Sequence, residues 1–206
     1  MKPDIKITRT ADGKESRSFA GVELRAAENQ FAITGIAAGY NVKSANLGGF
    51  IEQIAPGAFS DSLRADDQVC CFNHDPNQIL GRKKSGTLTL TDSAAGLTFR
   101  CALDRSNPVH QSVYSAIQRG DVDGCSFAFS VPPDGDTWEE NGGLPLRTLR
   151  KVRLAELGPV VFPAYPVGTS VGARAEQRSN YTLAPDDTRA RAIKALEKYF
   201  AAIDKE

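Results

Sequence analysis

A β-rich α+β domain is the fold class that this sequence predicts, and three observations predict it. Several stretches alternate apolar and polar residues with period two, as half-buried strands do. One mid-chain segment carries both the start and the stop signals of a helix. The 18 glycines and 11 prolines among 206 residues also cut the chain into many short pieces.

Taken in order, residues 1–18 are polar and read as a loose N-terminal segment. From Phe19 the text becomes strand-like. Phe31-Ala-Ile-Thr-Gly-Ile-Ala-Ala-Gly-Tyr40 mixes strand formers with glycines that permit bends. Pro56-Gly-Ala-Phe-Ser-Asp-Ser-Leu63 predicts a turn leading into a short helix. Thr87–Thr91 and Leu97–Leu103 both alternate, and Asp92-Ser-Ala-Ala-Gly96 joins them as a hairpin. Asn107 caps a helix, Pro108 suits its first turn and Gly120 stops it, with Val109, Val113, Ala116 and Ile117 as its apolar stripe. Cys125 to Val131 alternates strictly. A Pro/Gly-rich loop over 132–145 precedes another strand region from Leu149 to Phe162. The boundaries that follow are 1–18 for the polar segment, 19–172 for the main domain, 173–185 for a polar linker and 186–206 for a C-terminal amphipathic helix. Ile193, Leu196, Phe200 and Ile203 share one side of that helix.

Composition narrows the function. Lys plus Arg and Asp plus Glu are both 25, giving a formal net charge of zero. That balance excludes nucleic-acid binding through bulk electrostatics. No apolar run approaches the roughly 20 residues that cross a bilayer, and the polar start has no signal-peptide core, so a soluble, cytosolic protein is expected. The four cysteines, Cys70, Cys71, Cys101 and Cys125, contain no C-x-x-C pair and read as buried free thiols.

Only two histidines are present, which restricts any general base. His74 closes the strand-like run Asp67–His74 just before the turn residues Asp75-Pro76-Asn77, a position that faces either a cleft or solvent. His110 lies off the apolar stripe of its helix and reads as solvent-facing. In Asp123-Gly-Cys-Ser-Phe-Ala-Phe-Ser-Val131, alternation puts Cys125, Phe127, Phe129 and Val131 on the core face and turns Ser126 the other way. Ser126 is thus a small hydroxyl on a rigid strand directly after a glycine, as a nucleophile requires. On pattern alone, a serine on a solvated strand face is the simpler account. The strand pattern runs on through Ser126, which argues against the strand–turn–helix elbow of an α/β-hydrolase. Val152, Leu154 and Glu156 share strand parity, which places the Glu156 carboxylate on an apolar face in need of a partner. Arg82 or Arg100 would serve structurally, and the imidazole of His74 functionally.

In order along the chain, Gly35-Ile-Ala-Ala-Gly-Tyr-Asn41, Glu52-Gln-Ile-Ala-Pro-Gly-Ala-Phe59, Asn73-His-Asp75 with Leu80-Gly-Arg82, Gly120-Asp-Val-Asp-Gly-Cys-Ser-Phe-Ala-Phe129, and Leu154-Ala-Glu-Leu157 with Phe162-Pro-Ala164 form a specific set. From about Gly35 to Val171 the sequence resembles the prohead (procapsid maturation) proteases of tailed phages, serine peptidases related to the herpesvirus assembly protease. The resemblance implies a β-barrel flanked by helices, with His74 as catalytic base, Ser126 as nucleophile and Glu156 as the acidic third member. It calls for no metal or organic cofactor. Implied substrates are the major capsid protein and scaffold segment, with cleavage of the chain itself and a possible homo-oligomer. The implied place is the assembling prohead in the host bacterial cytoplasm, with neither nucleic acid nor membrane as a partner. Two positions depart from the family pattern. Ala128 stands where a glycine is usual, and Leu157-Gly158 where a Val-Ser pair is usual. The competing expectations are a catalytically silent scaffold or capsid-interior protein of the same fold, and an esterase acting on small molecules.

Overall fold

In the computed structural model, residues 7, 9–18, 24–26, 30–94, 96–140 and 142–161 are described. The chain divides into two units, Met1–Ala164 and Tyr165–Glu206, and the described residues all belong to the first. The linker and helix expected over 173–206 therefore lie outside the described residues.

Among the described residues, twelve strands and two α-helices follow one another: β1 (Glu15–Arg17), β2 (Leu24–Ala26), β3 (Ala32–Gly39), β4 (Ile51–Ile54), α1 (Ser60–Ala65), β5 (Val69–Cys71), β6 (Ile79–Arg82), β7 (Leu88–Ser93), β8 (Gly96–Ala102), α2 (Pro108–Arg119), β9 (Gly124–Ser130), β10 (Asp136–Glu139), β11 (Leu146–Leu149) and β12 (Arg153–Val160). The fold is β-rich α+β. Its strands form three sheets, ordered β1-β9-β12-β5-β6, β2-β3-β8-β7 and β10-β11-β4. Among the described residues no ladder returns to its first strand, so the barrel expected from the resemblance is replaced by three open sheets. No helix among these residues is long and apolar enough to cross a membrane.

Local chemistry explains the elements that sequence anticipated. The Asn107 side chain accepts from Val109 N at 2.9 Å, Pro108 follows, and Gly120 ends α2 in the left-handed region at φ 77°. β7 and β8 pair as the expected hairpin. In the core, Phe59 at the start of α1 packs on β9, its ring meeting Phe127 edge-on at 5.8 Å while Phe127 and Phe129 stack at 5.3 Å. Cys70, Cys71, Cys101 and Cys125 are free and buried.

Three expectations need correction. Residues 15–17 are not loose: they form β1 at the edge of the five-stranded sheet, antiparallel to β9. The 132–145 loop contains β10, which pairs with β11. His110 does not face solvent. It is buried, with Nδ1 accepting from Asp104 N at 2.9 Å and Nε2 donating to the Ile79 carbonyl at 2.9 Å. Both nitrogens of the buried ring thereby find backbone partners.

Candidate active site

β9 pairs with β1 on one side and β12 on the other, so its residues are held on both edges. Ser126 on β9 lies opposite Gly158 on β12 and is fully buried. The register shift between Leu154 and Glu156 decides what stands beside it. Leu154 pairs with Phe129, but Glu156 pairs with Ala128, so Ala155 is one extra residue on β12. A bulge of this kind reverses parity. Upstream, Leu154 faces the core with Phe129. Downstream, Leu157 and Pro159 face it, opposite Phe127 and Cys125. Glu156 is turned to the face of Ser126. The expectation that Glu156 shares the apolar face of Leu154 fails for this reason, yet its need for a partner is met by His74.

His74 arrives from β5. The parallel pairing of β5 with β12 sets Val69 opposite Glu156 and Cys70 opposite Leu157. Beyond Cys71 the chain makes a 3₁₀ turn, Phe72–His74, in which Asn73 and His74 have φ of 54° and 59°. Two successive non-glycine residues in the left-handed region store strain of the sort found at functional sites. Asn73 tolerates it, and its Oδ1 accepts from Val161 N at 2.9 Å, tying the turn to the end of β12. Gly158 permits this approach, because a Cβ there would collide with the Cys71 carbonyl.

The three residues singled out in the sequence meet. His74 Nε2 lies 2.7 Å from Ser126 Oγ, and His74 Nδ1 is hydrogen-bonded to Glu156 Oε1. A carboxylate only accepts, so Nδ1 carries the proton and the Nε2 lone pair points at the serine. The His74 side chain is 32% exposed and that of Glu156 18%, so the pair opens to solvent on the imidazole side. Arg82 and Arg100, the structural alternatives for Glu156, bond Asp67 and Gln30 instead.

One backbone carbonyl and one side-chain hydroxyl were not anticipated. The Ser126 hydroxyl also lies 3.0 Å from the Arg17 carbonyl, and Ser16 Oγ lies 3.2 Å from His74 Nε2 and 3.4 Å from Ser126 Oγ. Both come from β1, a charged three-residue strand with no apolar alternation to announce it. The available signal was indirect: Glu52 and Arg147 interrupt the apolar strands β4 and β11, and buried charges of that kind need partners. The nearby thiols are poor rivals as nucleophiles. Burial, with the Glu156 and Asp75 charges, pushes Cys71 up to about 11, and burial pushes Cys125 up to about 12.

An imidazole held by a carboxylate and aimed at a buried serine hydroxyl is the arrangement of nucleophilic acyl transfer. In comparisons with known proteins, a family model described as caudovirus prohead serine protease matches residues 20–184. No curated protein and no solved structure matches.

Proposed function

From the premise that this chain belongs to the caudovirus prohead serine protease family, we propose that it is a serine endopeptidase acting through Ser126, His74 and Glu156. The observation that carries this reading is the continuous hydrogen-bonded line from Glu156 through His74 to Ser126 Oγ. His74 Nε2 takes the hydroxyl proton as Oγ bonds to the scissile carbonyl carbon. It then returns that proton to the leaving amine, and water releases the acyl group by the same route in reverse. Glu156 fixes the tautomer and faces the imidazolium that forms.

The substrates in this reading are the major capsid protein and its scaffold segment, cut inside the assembling prohead, together with the chain itself. The working unit reaches back from the family-matched residues to β1, which lines the site. The polar stretch 173–185 is the proposed self-cleavage region, and the segment 186–206, expected from its sequence to be an amphipathic helix, the proposed docking element.

The test is covalent labelling with a fluorophosphonate, followed by co-expression with the neighbouring capsid gene product. Labelling at Ser126 and a capsid mass shift that vanishes in Ser126→Ala support the peptidase. A folded chain that neither labels nor cleaves is instead the silent scaffold protein.

A further inference from the structure

We propose that Ser16 is a positioning residue of this site, holding the His74 imidazole through the proton transfer that Ser126 begins. The inference rests on the peptidase reading. It concerns a residue on β1, outside the family-matched segment 20–184.

Ser16 is placed by charges on either side of it. β1 alternates, and Glu15 and Arg17 turn away from the site into a buried cluster. Arg147, wholly enclosed, donates to Glu15 at 2.7 and 3.2 Å, to Glu52 at 2.9 Å and to Asp136 at 2.8 Å. Arg17 donates to Glu15 at 2.7 Å and to Glu52 at 2.8 Å, and its guanidinium lies over the Phe129 ring. A three-residue edge strand has little ladder to hold it. These bonds anchor the residues before and after Ser16, and pairing of Ser16 with Ala128 fixes its height beside Ser126. Its hydroxyl therefore reaches His74 Nε2 by construction.

Proton accounting shows what the hydroxyl does. Before attack, the Ser126 proton has two acceptors within reach, His74 Nε2 at 2.7 Å and the Arg17 carbonyl at 3.0 Å. In the attack, Oγ bonds to the acyl carbon, the carbonyl electron pair moves onto oxygen, and the proton passes to Nε2. The new Nε2–H then faces an Oγ that has become part of a tetrahedral centre and later of an ester, a weaker acceptor. Ser16 Oγ, 3.2 Å away and fixed by the protein rather than by substrate, accepts that N–H until the C–N bond breaks and the amine takes the proton. The same contact serves when water replaces the amine. It favours the imidazolium over the neutral ring, so it acts on turnover and not on substrate binding.

A single hydrogen bond to a charged group corresponds to roughly tenfold in rate. The experiment compares Ser16→Ala and Ser16→Thr with the full-length wild type by peptide hydrolysis, fluorophosphonate labelling rate and thermal melting. Ser16→Ala is expected to lose about tenfold in kcat and in labelling rate, with KM and melting temperature unchanged. Ser16→Thr, which keeps the hydroxyl, is expected to recover most of that loss. Wild-type kcat in Ser16→Ala overturns the proposal, as does equal impairment of the two variants. If the wild type itself neither labels nor cleaves, the peptidase reading has failed. The ¹⁵N shift of His74 Nε2 then still reads the contact, and a shift unmoved by Ser16→Ala overturns it.

Discussion

Replacing Arg147 by methionine tests whether the buried cluster holds β1 in place. The guanidinium is fully enclosed, and burial alone would lower its pKa. Bonds to Glu15, the charge of Glu52 and the bond to Asp136 outweigh that and hold it above its ordinary value. Methionine fills most of the volume and removes all four bonds. Glu15 and Glu52 then keep Arg17, Glu15 also keeps the half-exposed Arg9 at 3.4 Å, and Asp136 keeps the Trp138 Nε1 donor at 3.3 Å, but the central cation is gone. Uncovering buried charges in this way costs about 3–5 kcal/mol, a large share of the roughly 5–15 kcal/mol that holds a domain together. At about 2–4 °C per kcal/mol for a domain of this size, the melting temperature should fall by about 6–20 °C. Thermal melting of the full chain measures it. Adding Glu15→Gln to Arg147→Met should cost less than the two single losses summed, because the two groups share bonds. A melting temperature within about 2 °C of wild type would refute the reasoning and leave β1 held by its ladder alone.

Other outcomes follow from the same geometry. Ser126→Ala, His74→Ala and the double variant should fall to one common background, on the order of 10⁶ below wild-type kcat, as measured by peptide hydrolysis. A substantial residual rate in His74→Ala would break the dyad. Glu156→Gln preserves volume and should melt normally while losing up to roughly 10⁴ in kcat. Full activity in that variant would leave Glu156 a structural partner of His74. His110→Phe should lower stability by about 1–3 kcal/mol in denaturant titration, since Asp104 N and the Ile79 carbonyl both lose their partner. An unchanged midpoint would mean that the ring is held by packing.

What could be read from the sequence was whatever the chain states locally. Asn107, Pro108 and Gly120 define α2 within fourteen residues, and the 87–103 hairpin is announced by its own alternation and turn. His74 was placed beside its turn for the same reason. What could not be read depends on partners far along the chain. β1 is a strand because Glu52 and Arg147 lie 35 and 132 residues from their contacts on Arg17 and Glu15. The buried His110 pairs with a carbonyl 31 residues back, a partner that its own helix does not announce. The bulge at Ala155 lies between these extremes. Leu154-Ala-Glu-Leu157 reads as a regular strand, and nothing within it announces an extra residue.

That bulge yields the last prediction, because side-chain direction along a strand depends on parity and one residue resets it. Deleting Ala155 removes the extra residue and restores a regular β9–β12 ladder. Leu154 then stays opposite Phe129, and Glu156, now its direct neighbour, stays opposite Ala128. Plain strand alternation puts the leucine on the core face and the carboxylate on the face of Ser126, where the wild type needs the bulge to do so. The deletion variant should therefore fold and label with fluorophosphonate, with His74 keeping its acceptor. Ala155→Gly keeps the extra residue and should cost about 1 kcal/mol or less. Melting temperature and fluorophosphonate labelling, measured side by side on both variants, check this. Loss of labelling in a deletion variant that still folds would show that parity alone does not set the direction of Glu156.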